Sequence, residues 1–340
     1  MDYALAMKAY VLKAYGGPDG AQLMDVPAPQ PGPRDILVDV RAAGLNPVDF
    51  KFRQGMLRAI YRPKLPYVLG NEFAGEVVAA GSEVKRFKLG DRVFVRVEKD
   101  HAGAFAEQAC VNEDVAAAMP RSLDFAAAAA VPLAALTALQ ALRDELAVKP
   151  GQRVFISGGA GGVGTFAIQI AKWLGAHVTT TASPRGEALV PSLGCDEVID
   201  YTAQDISRQG RRFDGGFDLI GGTTLAQMFE VMKPGATIVS VGAVPEPQTA
   251  IRDLDGNLLL AAAFWIISFR IRARARRNGV GYRYLFMHPS GDELAELGAL
   301  IDQGRLKVIV DKTYPFANIA EALGYVESGR AKGKVVVTMG

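Results

Sequence analysis

At 340 residues, with 49% apolar and 22% charged side chains, the chain has material for two domains with their own cores and is too apolar for disorder. A net charge of +2 offers no broad cationic field for nucleic acid, and two cysteines, Cys110 and Cys195, are too few for a disulfide framework and fit a reducing compartment. No basic start leads into an apolar run with a small-residue cleavage site, so a cytoplasmic protein is expected, with residues 1–6 a short extension.

Alternation predicts strands at 7–12 and 36–40, parted by the Pro- and Gly-rich stretch 26–33, and more short strands at 73–79, 92–97 and 105–111. Closely spaced strands without long helices describe an all-β unit. From Asp124 the character changes, and 126–130 and 133–146 are alanine-rich and helical in propensity. A short apolar strand at 153–156 leads into Ser157-Gly158-Gly159-Ala160-Gly161-Gly162-Val163-Gly164. Helical spacing follows over 165–174, marked by Phe166, Ile170, Ala171 and Leu174. Further strands are predicted at 177–181, 197–200, 217–220 and 237–241, with a helix at 224–232. This alternation is the signature of a doubly wound α/β fold. The tail reads helix 291–303, strand 308–310, helix 319–328 and strand 334–338, and is expected to rejoin the first domain.

Gly159, Gly161 and Gly164 fall on G-x-G-x-x-G, with a strand before and a helix after. Glycine is needed at the tight turn, where backbone meets pyrophosphate, and where helix packs on strand. Phosphate would sit on the free N–H groups at the helix start. Ser157, Gly159, Ala160, Gly161, Gly162, Val163 and Gly164 are therefore candidate dinucleotide contacts; the plain alternative is a Gly-rich turn. The second strand ends where an NAD site has an acid for the ribose 2′-hydroxyl. Here stand Ala182-Ser183-Pro184-Arg185, with no carboxylate before Glu187. A hydroxyl and a guanidinium suit a 2′-phosphate, so Ser183 and Arg185 favour NADPH over NADH. A solvated loop charge is the alternative for Arg185.

The segments Gly44-Leu45-Asn46-Pro47-Val48-Asp49, Leu69-Gly70-Asn71-Glu72-Phe73-Ala74-Gly75-Glu76-Val77, Gly90-Asp91-Arg92-Val93, the 157–164 motif and Gly333-Lys334-Val335-Val336-Val337 occur in this order. Together they resemble landmarks of the medium-chain dehydrogenase/reductase superfamily, and most of all its quinone oxidoreductases and NADPH-dependent alkenal and enone reductases. The resemblance covers nearly the whole chain except 246–285. It implies a GroES-like β-rich catalytic domain at 1–131 and 281–340, a Rossmann NADPH-binding domain at 132–280 with an apolar and basic insert near 246–280, and a homodimer. Zinc-dependent members carry a cysteine where this chain has Asn46 and a histidine where it has Asn71, and asparagine is a poor zinc ligand. The four-cysteine structural loop is missing too, since 95–105 holds no cysteine. Cys110, His101, His177 and His288 show no ligand spacing. The resemblance is to the zinc-free branch, and no metal is expected.

That branch implies hydride transfer from NADPH to an apolar small-molecule electrophile, a quinone or an α,β-unsaturated carbonyl. Asn46 is the first candidate to hold the acceptor oxygen or the nicotinamide ribose; a turn asparagine before Pro47 is the alternative. Lys51, where related reductases often have tyrosine, would stabilise an enolate or lend a proton, or is a solvated lysine. Thr137 matches a family threonine near the nicotinamide, or is helix packing. Tyr201 matches a tyrosine near the 2′-phosphate, Gly242 and Ala243 would bring backbone to the nicotinamide, and Phe286 lies in a segment facing the carboxamide. Lys334 is a further cofactor candidate. Two rival functions share the scaffold: a trans-2-enoyl thioester reductase, and an NADPH-binding sensor or adaptor with little turnover.

The stretch 258–269 has one hydroxyl among twelve residues, and Arg270, Arg272, Arg274, Arg276 and Arg277 follow. It is too short to span a membrane. As a helix it carries a stripe of Leu260, Phe264, Ile267, Ile271 and Ala275. Four readings stay open: a buried helix, a wall for a bulky apolar acceptor, membrane-surface contact through 258–277, or an edge strand over 270–273.

Overall fold

In the computed structural model, residues 6–98 and 103–340 are described, which leaves His101 outside the description. The chain divides into two units, Met1–Leu136 with Pro289–Gly340, and Thr137–His288.

The first unit is built on strands whose alternation sets one face inward. β1 (Ala6–Leu12) pairs antiparallel with β2 (Ala21–Pro27), and β3 (Asp35–Leu45) runs into the short helix α1 (Pro47–Arg53). β4 (Tyr67–Val68) pairs with β1, and β5 (Glu72–Ala80) lies antiparallel between β3 and β6 (Arg92–Arg96). β7 (Gln108–Asn112) pairs the first part of β3, and β8 (Ala116–Ala118) pairs β6. β3 buries alternate residues at first, then every residue from Ala42 to Leu45, because its second half is covered on both faces. Helices α2 (Phe125–Ala129) and α3 (Pro132–Leu139) carry the chain to the second unit, where 140–145 close as a wider π turn.

The second unit is a six-stranded parallel sheet: β9 (Arg153–Ile156), β10 (His177–Ala182), β11 (Glu197–Asp200), β12 (Phe213–Asp218), β13 (Met232–Ser240) and β14 (Gly281–Tyr284). Its order is β11-β10-β9-β12-β13-β14, the 3-2-1-4-5-6 arrangement of a dinucleotide-binding fold. Helix α4 (Gly162–Trp173) follows β9, the short α5 (Leu189–Ser192) follows β10, and α6 (Gly222–Val231) follows β12. Three helices then stand between β13 and β14: α7 (Pro247–Asp253), α8 (Leu258–Ile267) and α9 (Phe269–Asn278). The chain returns to the first unit through α10 (Gly291–Asp302), β15 (Val310–Pro315), α11 (Ile319–Glu327) and β16 (Lys334–Thr338), and β16 pairs antiparallel with β3.

Three expectations need correction. Residues 281–288 stand in the second unit, because Gly281–Tyr284 completes its sheet against Thr237–Ser240. Residues 132–136 stand in the first unit. The segment 270–273 is helical, with the Arg272 N–H donating to the Ser268 carbonyl, so it is no edge strand.

Candidate active site

In the second unit the cofactor-side residues sit at the carboxyl ends of parallel strands, where ligands bind in such sheets. β9 ends into the glycine turn, and Gly158 adopts a left-handed φ of 69°. The Gly158 N–H donates to Thr181 Oγ1 at 2.8 Å and the Gly159 N–H to the Thr181 carbonyl at 3.0 Å, tying the turn to β10. A Cβ on Gly159 would collide with Thr180 Oγ1, and one on Gly164 with the Gly158 carbonyl. A Cβ on Gly161 would meet nothing nearer than the Gly158 carbonyl at 3.4 Å. Two glycines are thus required by packing, while the space in front of the third is open. The N–H groups of Gly162, Val163 and Gly164 form the first turn of α4 and have no acceptor within that helix, which suits phosphate.

Ser157 is buried and serves the loops: its hydroxyl donates to Asp218 Oδ1 at 3.1 Å and accepts from the Leu219 N–H at 2.9 Å. The same carboxylate accepts from the N–H groups of Ile220 and Gly221 and from the Ser240 hydroxyl. Ser240 Oγ in turn accepts from the Gly242 and Ala243 N–H groups at 3.2 Å. Asp218 and Ser240 were not foreseen; an acid at the end of a strand, followed by a glycine turn, was the available signal.

Ser183 and the exposed Arg185 follow β10, and the exposed Tyr201 follows β11. The register Ala182 to Asp200 brings those two strand ends together. Phe286 lies half-buried just past β14, where Leu285 still donates to the Ser240 carbonyl. Thr137 is buried in α3. Within β14, Arg283 is buried among Glu145, Glu246 and Asp253, at 3.2, 3.0 and 2.5 Å, and this clamp fixes both ends of α7 against the strand.

The first unit holds a different cluster. Asn46 follows β3 and caps α1, its N–H donating to Asp49 Oδ2 at 2.7 Å. The Asn46 Nδ2 donates to Glu72 Oε1 at 2.6 Å, and its Oδ1 accepts from Lys334. Lys334 Nζ also donates to Glu72 Oε1 at 2.6 Å and to the Leu45 carbonyl at 3.1 Å, so its three donors are spoken for. Glu72 Oε2 accepts from the Leu133 N–H at 2.6 Å. Lys334 is 3% exposed and Glu72 fully buried. Gly44 makes room for that carboxylate: a Cβ there would stand 2.5 Å from Glu72 Oε1. Asn71 Nδ2 donates to Asp49 Oδ1 at 2.5 Å. Burial pushes the Asp49 carboxyl up to about 7 despite the bonds from Asn71 and Asn46. Asn46 and Lys334 therefore spend these polar atoms on each other, on Glu72 and on backbone. Lys51 is half-buried on α1.

Residues 32–121 match the alcohol dehydrogenase GroES-like domain, and residues 193–337 match the zinc-binding dehydrogenase family. The chain is 36% identical, over 97% of its length and 79% of the relative's, to a chloroplastic NADPH-dependent alkenal/one oxidoreductase of Arabidopsis thaliana. It is also 36% identical, over 90% of its length and 84% of the relative's, to the mitochondrial NAD(P)H oxidoreductase RTN4IP1 of Danio rerio. The structure of a quinone oxidoreductase from Coxiella burnetii is similar with a TM-score of 0.85 and 32% identity, covering 98% of this chain and 99% of that one. The chain belongs to the medium-chain dehydrogenase/reductase superfamily, in its quinone and alkenal oxidoreductase branch. This dehydrogenase/reductase is an NAD(P)H-dependent oxidoreductase.

The zinc implied by one family description can be tested against the residues present. A zinc site needs deprotonated thiolate, imidazole or carboxylate donors converging on the ion. At the matching positions this dehydrogenase/reductase has two amides, with the Lys334 ammonium bonded between Asn46 and Glu72. Burial pushes the thiols of Cys110 and Cys195 up to about 12 and 11, and both remain free and half-buried. Among the described residues no three His, Cys, Asp or Glu side chains group to hold a metal ion. These residues do not fit a catalytic zinc.

Proposed function

We propose that the protein is an NADPH-dependent reductase of quinones or α,β-unsaturated carbonyls that works without zinc. The observation that carries this reading is the cluster of Asn46, Glu72 and Lys334. It puts an amide, bonded to a buried ion pair, at a position where zinc-dependent relatives carry a cysteine ligand to the metal that polarises an alcohol. Lacking that Lewis acid, the chain is suited to an acceptor that is already electrophilic. The relatives' names, alkenal/one and quinone oxidoreductase, support the same acceptor class.

When bound, NADPH supplies the hydride. The chain's own part is to bind and orient. The first turn of α4 would hold the pyrophosphate on the N–H groups of Gly162, Val163 and Gly164. Ser183, Arg185 and Tyr201 would take the 2′-phosphate, since no carboxylate stands at the end of β10 to compete for a hydroxyl. Gly242 and Ala243, held by Ser240, present backbone toward the nicotinamide end.

Purified protein should oxidise NADPH in the presence of a panel of small quinones and enones, followed by nicotinamide absorbance, and keep that activity in chelator. Turnover only after zinc is added, or with alcohols alone, would overturn the assignment. Tight NADPH binding without turnover of any acceptor would make the protein a nucleotide sensor instead.

A further inference from the structure

The ten residues of α8, Leu-Leu-Leu-Ala-Ala-Ala-Phe-Trp-Ile-Ile, contain no polar side chain. A helix with that composition belongs in a core, yet only Ala261 and Phe264 are buried. Leu259 is 86% exposed, Ile266 68% and Trp265 53%, and Leu258, Ile267 and Phe269 are exposed as well. At 100° per residue, Trp265, Leu258, Ile266, Leu259 and Ile267 share about half the helix circumference. Single exposed apolar residues need no explanation, but a contiguous face of this kind marks an interaction surface.

The charges beside it identify what covers it. No acidic residue occurs from 256 to 291, whereas α9 carries five arginines. The Arg272 guanidinium lies 5.3 Å over the Trp265 ring and donates to the Trp265 carbonyl at 2.9 Å, so cationic charge borders the apolar face directly. Arg270, Arg276 and Arg277 are exposed. A second copy docked about a two-fold axis would bring the same arginine-rich patch against this one and add no acidic residue from 256–291, which like-charge repulsion opposes. A bilayer with anionic headgroups satisfies both features at once: the acyl boundary takes the apolar face, and phosphates take the arginines. A tryptophan at the rim suits the interfacial zone. Among the described residues no helix is long and apolar enough to cross a membrane, so the mode is surface contact.

We infer that α8 and α9 form a docking surface for an anionic lipid bilayer, with α8 lying flat and its Leu258, Leu259, Trp265 and Ile266 side chains inserted at the headgroup boundary. This inference does not depend on which acceptor the enzyme reduces.

The test is flotation of the full chain with phosphatidylcholine vesicles, with and without phosphatidylglycerol. Wild type should bind the anionic vesicles at least tenfold better than the neutral ones. Leu259→Ser with Ile266→Ser, both at exposed positions that leave the core intact, should lower that binding tenfold or more. Arg270→Glu with Arg276→Glu and Arg277→Glu should do the same, because these side chains supply the attraction to anionic headgroups. Emission of wild type should shift to the blue on binding; the Trp265→Phe variant, left with Trp173 alone, should not shift. Failure of wild type to bind anionic vesicles would overturn the inference. So would binding that the Leu259/Ile266 variant retains in full, or self-association in sedimentation velocity that this variant abolishes while vesicle binding persists.

Discussion

The polar cluster around Asn46 in the first unit closes on itself, whereas the one around Asp218 in the second is spent on holding turns. Asn46, Glu72 and Lys334 are buried, and the bonds they form run to each other or to local backbone. Ser157, Asp218 and Ser240 are buried just as deeply, but their partners are the N–H groups of Leu219, Ile220, Gly221, Gly242 and Ala243. That fixes the turns after β12 and β13, while Gly162 and Val163 at the start of α4 stay half-buried and Arg185 and Tyr201 are exposed. Burial of a polar side chain therefore does not by itself mark a ligand contact. What distinguishes the two clusters is which donors and acceptors remain after the fold has been satisfied.

The largest effect should come from opening the closed cluster. Glu72→Ala would leave the Lys334 ammonium buried without its partner and strip an acceptor from Asn46 and from the Leu133 N–H. Removing one member of a buried pair costs about 3–5 kcal/mol. The expected outcome is a drop of that size in urea stability, partly recovered in Glu72→Ala with Lys334→Met. A near-neutral Glu72→Ala would mean that the cluster is open to water after all.

Asp49, beside that cluster, should add a pH signature. Its folded carboxyl lies near 7 against an ordinary value of 3.8, chiefly through burial. The native state therefore holds this proton more tightly than the unfolded chain. Its stabilising contribution is complete below the unfolded value and is lost as pH rises to about 7, by about 1.4 kcal/mol per unit in between. From pH 5 to 7 that amounts to about 2–3 kcal/mol. Asp49→Asn should remove this slope from the denaturant midpoint, and identical slopes in both proteins would place the titration elsewhere.

The parts of the molecule legible in advance are those where backbone geometry dictates residue type. The strand expected at 153–156 matches Arg153–Ile156, and the turn after it needs glycine for reasons of contact that any such turn shares. β14 was not legible. Its central residue is Arg283, a charge that reads as surface and is buried only because Glu145, Glu246 and Asp253 meet it across 138, 37 and 30 positions of sequence. The partners of Lys334 were hidden for the same reason, Asn46 and Glu72 lying 288 and 262 positions away. The stretch 258–269 failed differently. Its stripe was half right: Phe264 and Ala275 are buried and Ile271 packs on the core, but Ile267 is exposed. A helix that is apolar on all sides gives periodicity nothing to choose between.

The glycine turn offers a smaller test of the comparison, within the open side. Gly164→Ala would force a Cβ against the Gly158 carbonyl, a backbone group that cannot swing aside, and should cost about 1–3 kcal/mol of stability without cofactor present. Gly161→Ala meets only that carbonyl at 3.4 Å and should leave apo stability unchanged while weakening nucleotide binding. Thermal melts with and without NADPH separate the two. If both variants lose stability alike in the apo state, Gly161 is a packing residue and the space before it is not reserved for phosphate.

The smallest expected effect concerns the outer end of the same surface. Arg185 is exposed in the turn Pro184–Gly186, and Tyr201 is exposed beside it at the neighbouring strand end. Neither contributes to the core, so a change there should be felt only through a ligand. Wild type should bind NADPH at least tenfold more tightly than NADH, a difference of about 1.4 kcal/mol. Arg185→Glu should erase most of that preference by replacing a phosphate-pairing guanidinium with a carboxylate suited to a ribose hydroxyl, while the melting temperature stays where it was. Titration of both nucleotides against both proteins measures this directly. Equal binding of NADPH and NADH by wild type would remove the 2′-phosphate from this surface. The open side would then be a pyrophosphate site alone, and Arg185 a solvated charge.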